Sequence, residues 1–334
     1  MRARPLLLAL ALAACDPGTT DDAGTTDAAS TTDAASTDAS TDAATSAEPC
    51  TAFAPPLVVG RVPDPALNEL SGLAASRAHP GALYTHNDSG DGPRVYVLDA
   101  SDASVRGTIT LTGASARDWE DIAVGPGADG APWVFAGDIG DNAARDGSGA
   151  PRSSIFVHRF PEAAVDVSST FDAASVTPET VELVYPDRPH DCESLAIADD
   201  GDLYLLSKED AGVSTLYVAR APFDGLVTLE IVTTLDVGGA LVPGGRQATA
   251  MDLSPGGRGL LVRTYNRIHL FVREPTEDWP TALTRASMPQ RPAVEGQAEA
   301  IAWRADGRGF YTTTEGATPP LSAYEASAPA CTPL

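Results

Sequence analysis

Five six-residue segments place an oxygen-bearing or acidic side chain at the same internal position. The segments read ELSGLA (69–74), DWEDIA (118–123), DCESLA (191–196), QATAMD (247–252) and QAEAIA (297–302). Their third residues, spaced by 49, 73, 56 and 50, are Ser71, Glu120, Glu193, Thr249 and Glu299. If the fold brings these positions together, the three carboxylates repel one another unless a cation joins them. Oxygen ligands without histidine favour a hard ion, so we expect calcium, with magnesium as second choice. The alternative is that these side chains hold only channel waters.

A second series of segments ends in further reactive side chains. ALYTHNDSG (82–90) and DLYLLSKED (202–210) are apolar stretches that finish in polar residues. We select Asp88 as a candidate general base, and Lys208, Arg145 and Arg263 as groups that could neutralise developing negative charge. The structural alternatives are that Asp and Asn beside Gly form turns, and that Lys208 pairs with Glu209.

The elements that would position these residues are short strands joined by tight turns. Gly-rich segments such as PGGRG (255–259) and ADGRG (305–309) follow the first strand of a unit, as in a β-hairpin. Third strands with alternating polarity and looser fourth strands follow. Four-stranded units at a period near 50 residues predict an all-β, five-bladed β-propeller. The 73-residue gap could hold a sixth blade, but SIFVHRF and ETVELVY are needed as strands of the second blade.

Both ends of the domain are expected to meet. PLVVGRV (56–62) stands unpaired before the first unit, and the last unit lacks its outer strand, so the N-terminal strand is predicted to complete the last blade. A disulfide between Cys50 and Cys331 would staple this closure, with Cys192 left free and buried. A Cys50–Cys192 pair is the alternative.

The first fifty residues predict export rather than a folded domain. Residues 1–14 resemble a signal peptide. Its last three residues and Cys15 read LAAC, which resembles a bacterial lipobox. Cys15 would then be the lipidated mature N-terminus and would anchor the protein to a membrane. An ordinary cleaved signal is the alternative. Residues 15–49 are rich in Thr, Asp, Ala and Ser and predict a disordered tether. Residues 50–334 then form the propeller domain.

Charge and motif content exclude several function classes. The formal net charge of −24 argues against nucleic acid as a partner and suits cations. The chain has no GxSxG, HExxH, P-loop or CxxC motif.

The ring order resembles that of the calcium-activated nucleotidases (soluble apyrases), five-bladed propellers whose central calcium is held by a Ser/Glu/Glu/Ser/Glu ring. The resemblance also rests on SGL (71–73) with LYTHNDSGDG (83–92), on CES (192–194) and on AEAI (298–301). It implies the same fold and the same ion. The segments also look like those of uncharacterised secreted bacterial propeller lipoproteins.

The departures from that family concern the groups that would bind phosphate. Its aspartate pair becomes Asn87–Asp88, the arginine after the pair becomes Ser89, and a later arginine pair becomes Lys208–Glu209. We therefore expect a monomeric, lipid-anchored envelope protein, periplasmic or on the cell surface, with a central divalent cation and an unidentified small-molecule or protein ligand on its top face. The alternative is a calcium-dependent hydrolase of phosphate esters or anhydrides.

Overall fold

The five segments lie on the innermost strands of five sheets arranged as the blades of a propeller, and neighbouring strands pair antiparallel except at two outer edges. The computed structural model describes residues 48–238, 245–292 and 296–334. The predicted signal peptide (1–14), Cys15 and the tether up to residue 47 lie outside the described residues.

Each blade runs from an inner strand at the channel to an outer edge strand. Blade 1 comprises β2 (Leu70–Ala75), β3 (Ala82–Asn87), β4 (Arg94–Asp99), β5 (Val105–Leu111) and β9 (Ala173–Val176). Blade 2 comprises β6 (Trp119–Pro126), β7 (Pro132–Asp138), β8 (Ile155–Pro161), β10 (Glu179–Val184) and β14 (Leu226–Thr228). Blade 3 comprises β11 (Cys192–Ile197), β12 (Leu203–Ser207), β13 (Val213–Ala219) and β15 (Glu230–Asp236). Blade 4 comprises β16 (Ala248–Leu253), β17 (Gly259–Thr264), β18 (Arg267–Val272) and β19 (Met288–Gln290). Blade 5 comprises β20 (Ala298–Trp303), β21 (Gly309–Thr314), β22 (Pro320–Glu325) and β1 (Leu57–Arg61).

Helical structure in the described part of the chain is confined to short connections. It comprises α1 (Asn142–Asp146), α2 (Trp279–Ala282) and a 3₁₀ turn at Glu162–Ala164. None of these has the length and apolar character that crossing a membrane requires. The five-bladed, all-β prediction is therefore confirmed.

Five separate apolar clusters hold neighbouring blades together. In β12, Leu203 and Leu205 pack toward blade 2, while Tyr204 and Leu206 pack toward blade 4. Both faces of such a strand are buried, so its sequence is a continuous apolar run rather than an apolar–polar alternation. The cluster that includes Leu73 and Leu321 joins blade 5 to blade 1 and completes the ring.

The ring closes through the N-terminal strand, as predicted. β1 pairs antiparallel with β22, with Leu57 opposite Ala323 and Arg61 opposite Pro320. Cys50 and Cys331 form a disulfide with 5.1 Å between their Cα atoms, and Cys192 is a buried free thiol.

Two outer strands were not anticipated. β9 lies in the sequence between β8 and β10 of blade 2, yet pairs parallel with β5 of blade 1. β14 lies between β13 and β15 of blade 3, yet pairs parallel with β10 of blade 2. Blades 1 and 2 are thus each completed by a strand from the following blade.

Candidate cation site at the channel mouth

A β-bulge lies at or beside the third position of each repeated segment. The pairing register shifts between Ser71 and Leu73 in blade 1, and the corresponding shifts in the other blades fall at Trp119/Asp121, Cys192/Leu195, Ala248/Ala250 and Ala298/Ala300. An extra residue breaks the two-residue alternation of a strand and redirects a side chain. The third positions of the five segments are therefore equivalent in the structure as well as in the sequence.

Three of the five predicted ring residues line one cavity. Its volume is about 300 Å³, and it lies on the top face, where inner strands begin and second strands end. Its walls are formed by Glu69, Asp88, Glu120, Asn142, Arg145, Glu193, Lys208, Tyr265, Gln297, Glu299 and Glu315.

The two hydroxyl residues of the predicted ring serve a different purpose. The Ser71 Oγ donates to the backbone oxygen of Glu120 at 2.6 Å, and the Thr249 Oγ1 donates to that of Ala298 at 2.7 Å. Each bond reaches from one inner strand to the inner strand of the next blade. The structure therefore brings together the three glutamates of the ring and uses the two hydroxyls to join blades.

Carboxylates converge on Glu120 from two sides. Oxygens of Asp88, Asp118 and Glu120 all lie within 4.8 Å of one another, and so do oxygens of Glu120, Asp191 and Glu193. Gly140 makes room for this group, because a Cβ atom there would lie 2.6 Å from the Asp118 Oδ2. We call Asp88, Asp118, Glu120 and Glu193 the acidic cluster. Asp191 is excluded from this name because its oxygens accept hydrogen bonds from the Asp141 N–H and the Arg145 Nε at 2.8 and 2.7 Å.

The protonation equilibria of the cluster reflect burial and mutual repulsion. Burial, together with the neighbouring Asp118 carboxylate, raises the pKa of Asp88 to about 7. Burial and then the Glu193 carboxylate raise the pKa of Glu120 well above its ordinary value. Burial also raises the pKa of Glu299 to about 7, although Lys208 acts in the opposite direction. A cation among these groups would favour their ionised forms.

Two carboxylate oxygens of the acidic cluster have no hydrogen-bond partner among the described residues. Glu193 is only 4% exposed and its Oε2 is unpaired, and the buried Oδ1 of Asp88 is unpaired as well. An unpaired buried carboxylate oxygen is costly, so each is suited to a ligand that offers positive charge. The donor set is therefore chemically suited to a hard cation.

Lys208 supplies one positive charge inside the cavity. Its Nζ contacts the Glu193 Oε1 and lies 2.9 Å from the Tyr265 hydroxyl. Burial is the largest single influence and disfavours its charged form, but the interactions with Glu193, Tyr265 and Glu299 together outweigh burial and raise the pKa of Lys208 above its ordinary value. Lys208 is thus an ammonium group paired with Glu193.

The other predicted catalytic cations are also occupied or lie elsewhere. Arg145, on α1, forms ion pairs with Asp191 at 2.7 Å and Asp210 at 3.2 Å. Arg263 is 1% exposed, donates to the backbone oxygen of Ala300 at 3.3 Å and is not among the residues that line the cavity. Asp88, Arg145 and Lys208 thus share the cavity, and Arg263 lies outside it.

The first position of the repeated segments was missed as a source of site residues. Glu69 and Gln297 line the cavity, while Asp118 and Asp191 lie within 4.8 Å of other carboxylates. Asp121, in the fourth position of its segment, does not line the cavity, and its carboxylate accepts N–H groups from three inner strands. The repeated polar first letter of the segments was the signal that could have identified the first-position residues.

Comparison with known proteins found no sequence match and a distant structural likeness. No protein-family model and no curated protein sequence matches this chain. Among solved structures, the chain is similar to the PQQ-bound form of an aldose sugar dehydrogenase from Streptomyces coelicolor, with 13% identity and a TM-score of 0.45. The match covers 83% of this chain and 99% of that chain. Membership of the nucleotidase family, which the ring order suggested, is not shown by these comparisons.

Proposed function

We propose that this protein is a cation-binding propeller of the cell envelope that uses a divalent cation, calcium first and magnesium second, to bind a ligand at the channel mouth. The observation that carries the proposal is the unpaired, buried Oε2 of Glu193 beside the other carboxylates of the acidic cluster. Carboxylate oxygens without imidazole or thiolate favour these ions over zinc or copper.

The proposed ligand set differs from the ring expected from the sequence. Glu120 and Glu193 remain, and Asp88 and Asp118 join them. Ser71 and Thr249 are left out because their hydroxyl protons are engaged between blades. Glu299 is left out because it belongs to neither group of carboxylates that converge on Glu120. Asp88 thus becomes a candidate cation ligand rather than a general base.

The charge of the cavity favours a ligand without phosphate. Six carboxylates line it against two cations, and both cations are already paired with carboxylates. One divalent cation offsets only part of this negative charge, so a polyphosphate would meet net repulsion. A neutral, oxygen-rich group or a cationic group suits the site better, which gives the hydrolase alternative no support.

Calcium titration of the metal-stripped protein tests the proposal. Isothermal titration calorimetry should show one calcium ion per chain, and Glu120→Gln and Glu193→Gln should each weaken binding by about tenfold or more, since each removes a charged ligand. Glu230→Gln, which removes an exposed carboxylate from an outer strand, is the matched control and should leave binding unchanged. A wild-type protein that binds neither calcium nor magnesium at millimolar concentration would refute the proposal.

The membrane anchor is tested separately. The full chain should partition into the detergent phase of a Triton X-114 extraction when expressed in a bacterium that processes lipoproteins, whereas Cys15→Ser should remain in the aqueous phase. Equal partitioning of the two proteins would refute lipidation at Cys15.

A further inference from the structure

The only lysine of the chain lies inside the channel. The sequence has 22 Lys and Arg residues together, and Lys208 is the single lysine. It is 6% exposed, although lysine is among the residues least often buried. A chain that uses arginine at every other basic position therefore places its one compact ammonium group at the channel mouth.

The ammonium group lies where the sequence predicted a central ion. Lys208 follows β12 of blade 3, and its Nζ contacts the Glu193 Oε1 of the same blade. Tyr265 of blade 4 places its hydroxyl 2.9 Å from the Nζ, and its ring centroid is 5.1 Å away. Glu299 of blade 5 lines the same cavity, and its carboxylate favours the charged form of Lys208. Groups from two blades thus contact one cation that belongs to the chain itself, and a carboxylate of a third blade lies in the same cavity.

The chemistry of this position requires lysine rather than arginine. An ammonium group is a compact point charge on a flexible stem, whereas guanidinium is a planar fork that needs partners in one plane. The Glu193 carboxylate and the Tyr265 hydroxyl contact the ammonium group from different blades, and the Glu299 carboxylate lines the same cavity, so the oxygens do not form one planar fork. Such a set resembles the oxygen environment of a metal ion more than the flat partner of an arginine.

We propose that Lys208 is a built-in cation, which fills the part of the cavity lined by Glu193, Tyr265 and Glu299 and so restricts exchangeable metal to the acidic cluster. The claim that exchangeable metal binds in the acidic cluster rests on the proposed function. The claim that Lys208 occupies the space beside Glu193, Tyr265 and Glu299 concerns only the chain's own ammonium group. Removal of Lys208 should therefore create one additional divalent-cation site, whatever number the wild-type protein binds.

The test compares the number of bound ions in wild type, Lys208→Met and Lys208→Gln. Equilibrium dialysis of the full chain against ⁴⁵Ca²⁺ should give one more calcium ion per chain in both variants than in wild type. Arg220→Gln is the matched control. Arg220 pairs with Asp202 and Glu230 near the opposite face, so this variant removes the same charge without opening the channel site, and its ion number should equal that of wild type.

The outcomes separate the two proposals. One ion in wild type and two in the Lys208 variants would support both. No ion in wild type and one in the variants would overturn the proposed function and support the built-in cation. Equal numbers in wild type and the folded variants, judged by circular dichroism, would overturn the built-in cation.

A second measurement applies even if the variants do not fold. Because Lys208 is the only lysine, reductive methylation with ¹³C-formaldehyde labels one side chain, which NMR and peptide mass spectrometry identify. The wild-type protein should resist methylation at Lys208 when folded and react readily in guanidinium chloride. Methylation of the folded protein as fast as the unfolded one would show that the ammonium group is not enclosed, and would overturn the inference.

Discussion

Replacement of Asp121 with asparagine tests how the inner strands are held around the channel. The Asp121 Oδ2 accepts the N–H of Leu195 at 2.8 Å and that of Met251 at 3.3 Å, while its Oδ1 accepts the N–H of Ile122 at 2.9 Å. These donors belong to the inner strands of blades 3, 4 and 2. One fully buried carboxylate therefore joins three blades.

The expected cost follows from the number of donors. Either orientation of the asparagine amide turns its NH₂ group toward at least one backbone N–H. One buried donor without a partner costs about 1–3 kcal/mol, and loss of the charged acceptor weakens the remaining bonds, so we expect a total near 2–4 kcal/mol. Burial raises the pKa of Asp121 well above its ordinary value, and the N–H bonds oppose this shift. A protonated Asp121 would place its O–H among donors, which is why we expect the ionised form.

Thermal and urea unfolding at pH 7 measure the effect. For a domain of this size, the expected loss corresponds to a fall in Tm of about 3–7 °C. Asp252→Asn is the matched control and should be no less stable than wild type at pH 7, because the Asp252 Oδ2 accepts the N–H of Trp303 at 2.7 Å and an asparagine oxygen can keep that bond. If Asp121→Asn were as stable as wild type, Asp121 would be a neutral acid and the reasoning would be wrong.

Three further predictions concern stability and thiol chemistry. Burial raises the pKa of Asp252 to about 7, so the folded chain binds this proton more tightly than the unfolded chain. The unfolding free energy of wild type should therefore fall by up to about 4 kcal/mol relative to Asp252→Asn as pH rises from about 4 to 7, then stay level. Urea unfolding of both proteins across this range measures the difference, and parallel curves would contradict it. The Cys50–Cys331 disulfide closes a separation of 281 residues, so its reduction should lower the unfolding free energy by about 2–5 kcal/mol, and unchanged melting in reductant would argue against the staple. Cys192 is 0% exposed and should react with Ellman's reagent only after unfolding, whereas rapid reaction of the folded protein would show local opening of blade 3.

The fold was largely predictable because each blade repeats the same sequence pattern. Inner strands recur in the sequence with polar residues at one end and a tight turn at the other, and the unpaired segment before Leu70 matched the missing edge of the last blade. β9 and β14 could not be foreseen. They are short, and their placement at the edge of another blade depends on which edge lies nearby in three dimensions, which local sequence does not encode.

The candidate site was predicted in part. The third positions of the segments were the correct place to look, because the bulge directs Glu120, Glu193 and Glu299 into one cavity. Ser71 and Thr249 share the sequence position but differ in partner, since a short hydroxyl side chain reaches the neighbouring backbone before it reaches the channel centre. The contact between Lys208 and Glu193 was not predicted. A long, flexible side chain can end in several places, and the neighbouring acceptors decide which of them it takes.

The pairing of β1 with β22 has a consequence for how the protein is made. Among the strands of the described residues, β1 is synthesised first and its partner β22 last. A nascent chain therefore carries a strand whose backbone N–H and C=O groups have no partner strand until synthesis of the domain is almost complete. Prematurely terminated products that lack β22 cannot pair it with β1, so they should expose a free sheet edge that proteases and chaperones can recognise.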